Sequence, residues 1–76
     1  MQELVTYIAR SLVDNPDAVT VTMSEEDNTV TIGLAVAKED LGKVIGKQGR
    51  TARAMRSLLA VTAGKENKLS RLDILE

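Results

Sequence analysis

The chain is 76 residues long, carries a net charge of −1 and contains neither cysteine nor histidine, so disulfides, the usual zinc clusters and Cys–His or Ser–His nucleophiles are excluded. A domain this small buries only about 60–65% of its unfolded surface, which leaves little room for an elaborate catalytic pocket. With no charged-then-apolar leader and no stretch long enough to span a membrane, a soluble, cytoplasmic, non-enzymatic protein without cofactor or metal is expected.

Residues 2–14 place Leu4, Val5, Ile8 and Leu12 at helical spacing, and Asn15-Pro16 ends that helix because a residue before proline avoids helical angles. Val19, Val21 and Met23 alternate with polar residues from Ala18 to Ser24, and apolar residues fall at every second position from Val30 to Val36. These patterns predict two half-buried strands joined by the polar turn Glu25–Thr29. Residues 38–45 read as a short helix despite Gly42, which marks either close packing, the favoured reading, or the passage of a ligand backbone. A longer helix is expected from about Arg50 to Ala63, closed by Gly64, and then a strand from Leu69 to Leu75 with Leu72 and Ile74 on one face. Two strands and a two-helix crossover to a third predict an α+β fold in the order α-β-β-α-α-β, a three-stranded sheet with helices on one face, spanning residues 1–76 as one domain.

The junction of the two crossover helices reads Val44-Ile45-Gly46-Lys47-Gln48-Gly49-Arg50-Thr51-Ala52-Arg53. Two glycines let a main chain turn sharply and approach a phosphodiester closely, and the amides opening the next helix favour an anion. Gly-x-x-Gly alone is common; its context is not. Arg50, Arg53 and Arg56 share one arc of that helix, while Ala52, Met55, Leu58 and Leu59 point the other way. Charge is distributed to match. Residues 1–37 balance at −5, residues 38–56 at +4, and the last twenty at zero. Basic charge is therefore concentrated at the glycine turn, as a local polyanion site requires.

With the turn and the element order in place, the chain resembles the KH domain of the bacterial, type II arrangement. The resemblance covers essentially all 76 residues and is most specific over Glu39–Ala52. Within type II it is most similar to the small single-KH bacterial proteins of the KhpA family. That resemblance implies binding of single-stranded RNA, with the glycine loop clamping a run of four nucleotides. Lys47, Gln48, Gly46 and Gly49 would contact phosphates, Val44 and Ile45 would floor a groove, and the strand 69–75 with the loop 65–68 would form its opposite wall. The RNA contacts so expected are Lys43, Val44, Ile45, Gly46, Lys47, Gln48, Gly49, Arg50, Arg53, Lys65, Lys68 and Arg71. The resemblance further implies RNA chaperone activity, a larger KH-containing partner of the KhpB type, and a link to cell length and peptidoglycan homeostasis. Ala52 stands where many KH domains carry a bulkier aliphatic, and Tyr7 is the only aromatic residue, so base stacking on side chains is not expected to supply affinity.

The same residues admit other readings. A nucleotidase P-loop fails because Gly42 and Gly46 are one residue too close and Gln48 stands where Ser or Thr should hold magnesium. A helix-turn-helix reader of duplex DNA, and an interaction module without nucleic acid, remain as alternatives. Ala54, Ser57 and Val61, with Leu58 beside them, form a stripe of small and apolar residues on the long helix that suits self-association or pairing with a second KH protein.

Overall fold

The computed structural model describes residues 1–75. Helix α1 (Gln2–Leu12) buries Val5 and Ala9 and is followed by a 3₁₀ turn, Pro16–Ala18. Strands β1 (Thr20–Glu26) and β2 (Thr29–Ala35) are antiparallel, paired from Thr20 with Ala35 to Glu26 with Thr29. A 3₁₀ turn, Lys38–Asp40, precedes α2 (Leu41–Ile45), and α3 (Arg50–Gly64) leads to β3 (Leu69–Leu75), which runs parallel to β2. The sheet order is β1-β2-β3, the predicted α+β architecture. No helix among the described residues is long and apolar enough to cross a membrane.

The core lies between the sheet and the three helices. Val30, Ile32 and Leu34 of β2 and Leu72 of β3 face Val5, Ala9, Val44, Met55 and Leu59. Period-two alternation on β2 and helical spacing on α1 and α3 bring these residues to one side, where truncating a filled position such as Leu34 costs about 2–5 kcal/mol. Leu58, counted above with the apolar arc, is instead 49% exposed, and Ala63 packs inward near the end of α3. Each outer strand has a carbonyl taken by a helix side chain: Gln2 Nε2 donates to Val21 O of β1 at 2.9 Å, and Arg56 Nη2 to Leu72 O of β3 at 3.2 Å.

Several boundaries differ from the sequence-based expectation. The β1–β2 turn shrinks to Asp27-Asn28, both at positive φ (50° and 66°), the primed turn whose twist suits a two-residue hairpin. Helix α3 is not closed by Gly64. Its left-handed residue is Asn67 (φ 58°), with the Lys68 amide returning to Ala63 O at 2.9 Å. The amide side chain of Asn28 donates to Asn67 O at 2.7 Å, fastening this turn to the hairpin.

Helix α1 stops at Leu12 rather than at residue 14, because the next amides are claimed elsewhere. The carboxylate of Asp40, fully buried, accepts the backbone N–H of Asp14 (3.2 Å) and of Asn15 (3.0 Å), and the ammonium of Lys43 at 3.3 Å. Burial alone would raise the carboxyl's pKa. The two backbone donors and Lys43 outweigh burial and hold it below the ordinary carboxylate value. A folded pKa below the unfolded one stabilises the fold above about pH 4, and that contribution is lost as pH falls through the folded value. Asp40→Asn should therefore lower the Tm by roughly 10 °C near neutral pH, because an amide cannot accept from both N–H groups and Lys43. Circular-dichroism melts from pH 7 to pH 2 should show a steep acid loss in the wild type, of which the variant lacks the Asp40 component.

Candidate nucleic-acid interface

The turn between α2 and α3 is built from conformations that few residues adopt. Gly46 has φ 80° and ψ 169°, Gln48 φ 58° and ψ 26°, and Gly49 φ 74° and ψ 14°. The backbone geometry of Gly46 is essentially restricted to glycine, and a Cβ there would overlap the Thr51 hydroxyl and lie 2.8 Å from the Thr51 backbone nitrogen. At Gly49 the space is open, and only the left-handed φ favours glycine. The chain is held by the Gly46 amide donating to Gly42 O (2.9 Å) and the Gly49 amide to Gly46 O (3.1 Å). Lys47 and Gln48 are thereby pushed into solvent at the tip. Arg53 reaches the Gln48 carbonyl and Arg50 its side-chain oxygen, both at 3.4 Å. No side chain caps the start of α3 and no acid occupies its first turn, so its dipole favours an anion there, although the Gly49 and Arg50 amides are already donated to Gly46 O and Lys47 O.

Beside the loop opens a groove of about 240 Å³, lined by Leu41 and Ile45 of α2, Gly49, Ala52 and Arg56 of α3, and Ile74 of β3. Its walls are aliphatic and its rim is basic. The Arg56 guanidinium is fixed there by its bond to the Leu72 carbonyl. Gly42 has nothing within 4 Å of where a Cβ would be, so close packing does not account for that glycine.

The structure gathers Ile45, Gly46, Lys47, Gln48, Gly49, Arg50 and Arg53 around one end of the groove and separates the other candidates from it. Val44 is fully buried in the core and supports the groove from beneath instead of lining it. Lys43 points back to α1: hydrogen bonds to Asp14 (2.9 Å) and Asp40 (3.3 Å) outweigh partial desolvation and raise its pKa above the ordinary lysine value. The loop 65–68 follows α3, whose 15 residues span about 22 Å, so it lies at the far end of that helix from the glycine turn. There Lys68 is bonded to Glu25 at 2.8 Å, which holds its pKa up, and Arg71 bonds Asp73 at 3.3 Å. The wall facing the glycine loop is Ile74, near the C-terminal end of β3. Leu41, Arg56 and Ile74 were absent from the expected contacts. Arg56 was legible as the continuation of the arginine arc and Ile74 as the partner of Leu72, but only the folded crossover brings them to Ile45. Ala54, Ser57, Leu58 and Val61 are all exposed on α3, Val61 at 63%.

An α-β-β-α-α-β chain whose parallel third strand is reached through a helix, a Gly-x-x-Gly turn and a second helix is a KH domain. The family model described as "KhpA/KhpB, KH domain" matches residues 2–74, and the chain belongs to that family. It is 47% identical to the RNA-binding protein KhpA of Listeria monocytogenes over 76 residues, all of both chains. It is 52% identical to the protein of that name from Caldanaerobacter subterraneus subsp. tengcongensis over 75 residues, 99% of this chain and 100% of the relative. The corresponding protein of Treponema pallidum is 49% identical over 99% of this chain and 94% of its own. No solved structure matches the chain.

The two glycines should respond differently to substitution. Gly49→Ala should fold and lose about 1–2 kcal/mol, the cost of a left-handed alanine. Gly46→Ala adds a collision to that conformational cost and should lose clearly more, as read by urea unfolding at equilibrium.

Proposed function

We propose that this protein binds single-stranded RNA in the groove beside the glycine loop, as a non-enzymatic module acting on transcripts as a chaperone or post-transcriptional regulator. The carrying observation is the juxtaposition of a sharply turned, uncapped loop tipped by Lys47 with a narrow aliphatic groove rimmed by arginine. Phosphates meet the loop and the start of α3, and unstacked bases meet Ile45, Ala52 and Ile74. The relatives' shared name, RNA-binding protein KhpA, supports the same ligand. Duplex DNA fits less well, because α2 is only five residues long and α3, which follows the loop, is packed along its length through Ala52, Met55, Leu59 and Ala63. Tyr7 lies on α1 and does not line the groove, so base selection rests on apolar contact and hydrogen bonds to base edges.

Lys47→Asp with Gln48→Asp should abolish RNA binding, a loss of at least a hundredfold, with the Tm within a few degrees of wild type because both side chains are exposed. With three or four phosphates neutralised, the slope of log K against log salt should be roughly −2 to −3. Fluorescence anisotropy on labelled single strands measures both, and wild-type-like binding by the double variant would remove the loop from the site.

The working form is proposed to be a dimer, of this chain or with a second KH protein of the KhpB type, in the cytoplasm. Ala54, Ser57, Leu58 and Val61 form a solvent-facing stripe on the side of α3 away from Met55 and Leu59, where a second helix can approach closely. A module that clamps about four nucleotides gains affinity when a second site raises the effective concentration. The KhpB-type partner and the link to cell length and peptidoglycan homeostasis rest on family resemblance alone. Ala54→Asp with Val61→Asp should give a folded monomer with at least tenfold weaker binding to long RNA, by sedimentation and anisotropy. A wild type that sediments as a monomer with and without RNA would exclude the homodimer.

A further inference from the structure

The groove does not end at Leu41. That side chain lines the groove on one flank and, on the other, a second and larger cavity of about 520 Å³ shared with Val36, Lys38 and Leu75. Leu41 is common to both spaces. Ile74 walls the first and its neighbour Leu75, paired with Ala35 of β2, walls the second, so the two hollows lie side by side along that end of the sheet.

The chemistry of the second space is simple. Three of its four lining residues are aliphatic, and Leu75 is left 49% exposed. The fourth, Lys38, is exposed, and its ammonium has no ion pair or hydrogen bond among the described residues. Lys43, five positions on, holds two carboxylates. An aliphatic hollow with an ammonium at its rim, unpaired among the described residues, complements a flat, weakly hydrated base with a phosphate beside it at the solvent edge.

We propose that this cavity is a further base subsite: the same RNA strand that occupies the groove continues past Leu41, places its next base against Val36, Leu41 and Leu75, and sets the adjoining phosphate on Lys38. The proposal rests on the RNA-binding reading and adds to it a footprint that extends beyond the groove and a fixed exit path. It assigns Lys38 and Leu75, neither of which belongs to the glycine loop.

The test is a length series of single-stranded RNA oligonucleotides of mixed sequence, from about three to about ten nucleotides, measured by anisotropy with wild type, Lys38→Gln and Leu75→Ser. Both side chains are exposed, and thermal melts check that both variants fold. The shortest strands that bind wild type should bind both variants equally. The gain from the next one or two nucleotides, on the order of tenfold, should be lost in each. On the longer strands Lys38→Gln should also make the salt slope shallower by about 0.7, the loss of one phosphate contact, while Leu75→Ser leaves the slope unchanged. Variant curves that superpose on wild type, or that weaken equally at every length, would overturn the subsite. Absence of wild-type binding at any length and low salt would instead reject the RNA reading from which it follows.

Discussion

A single buried charge organises this fold. The Asp40 carboxylate has no access to solvent, and it is satisfied by two backbone amides from the segment leaving α1 and by Lys43 one turn further along its own chain. Such a group tolerates little displacement, since each donor that moves away leaves a buried anion short of a partner. It therefore fixes where α1 stops and where α2 starts, although 25 residues separate the chain segments it joins. Helix α2 is five residues long and could not hold its own position by propensity. Anchored at one end by Asp40 and packed through Val44, it sets the position from which Gly46 turns the chain into α3.

The second organising fact is which cations are spent. The charge count includes Lys43 in the basic segment and the family resemblance adds Lys68 and Arg71, yet each is engaged with an acid: Lys43 with Asp14 and Asp40, Lys68 with Glu25, Arg71 with Asp73. Lys38, Lys47, Arg50, Arg53, Arg56 and Lys65 have no such pair among the described residues; all but Lys65, at the far end of α3, lie at the loop, on α3 beside the groove or at the hollow next to it. Ion pairing thus concentrates positive potential more sharply than the sequence suggests. A weakly acidic protein can present a local site for a polyanion without a general affinity for polyanions.

The sheet, the element order and the glycine loop were legible because their signals are local: alternation on β2, helical spacing on α1 and α3, and two glycines flanking a basic pair. What was hidden depends on residues far apart in sequence. Nothing near Asp14 shows that its amide is claimed by Asp40, so the sequence pattern extends α1 two residues beyond its end at Leu12. Nothing near Lys68 shows Glu25 across the hairpin. Val44 and Ile45 are adjacent and equally aliphatic, yet one is core and the other lines the groove, a distinction set by how α2 rolls against the sheet. The left-handed residue of the turn after α3 is Asn67 rather than Gly64, and its carbonyl is held by Asn28, a contact that exists only once β2 and β3 have paired.

Both outer strands of the sheet have a carbonyl occupied by a side chain from a helix, Val21 O by Gln2 and Leu72 O by Arg56. A three-stranded sheet has two open borders and only one interior strand, which makes it a ready template for strand-on-strand accretion. Gln2 and Arg56 act as bumpers at those borders. Arg56 is also the guanidinium at the groove rim, so a change made there alters the groove and at the same time frees the Leu72 carbonyl at the sheet border.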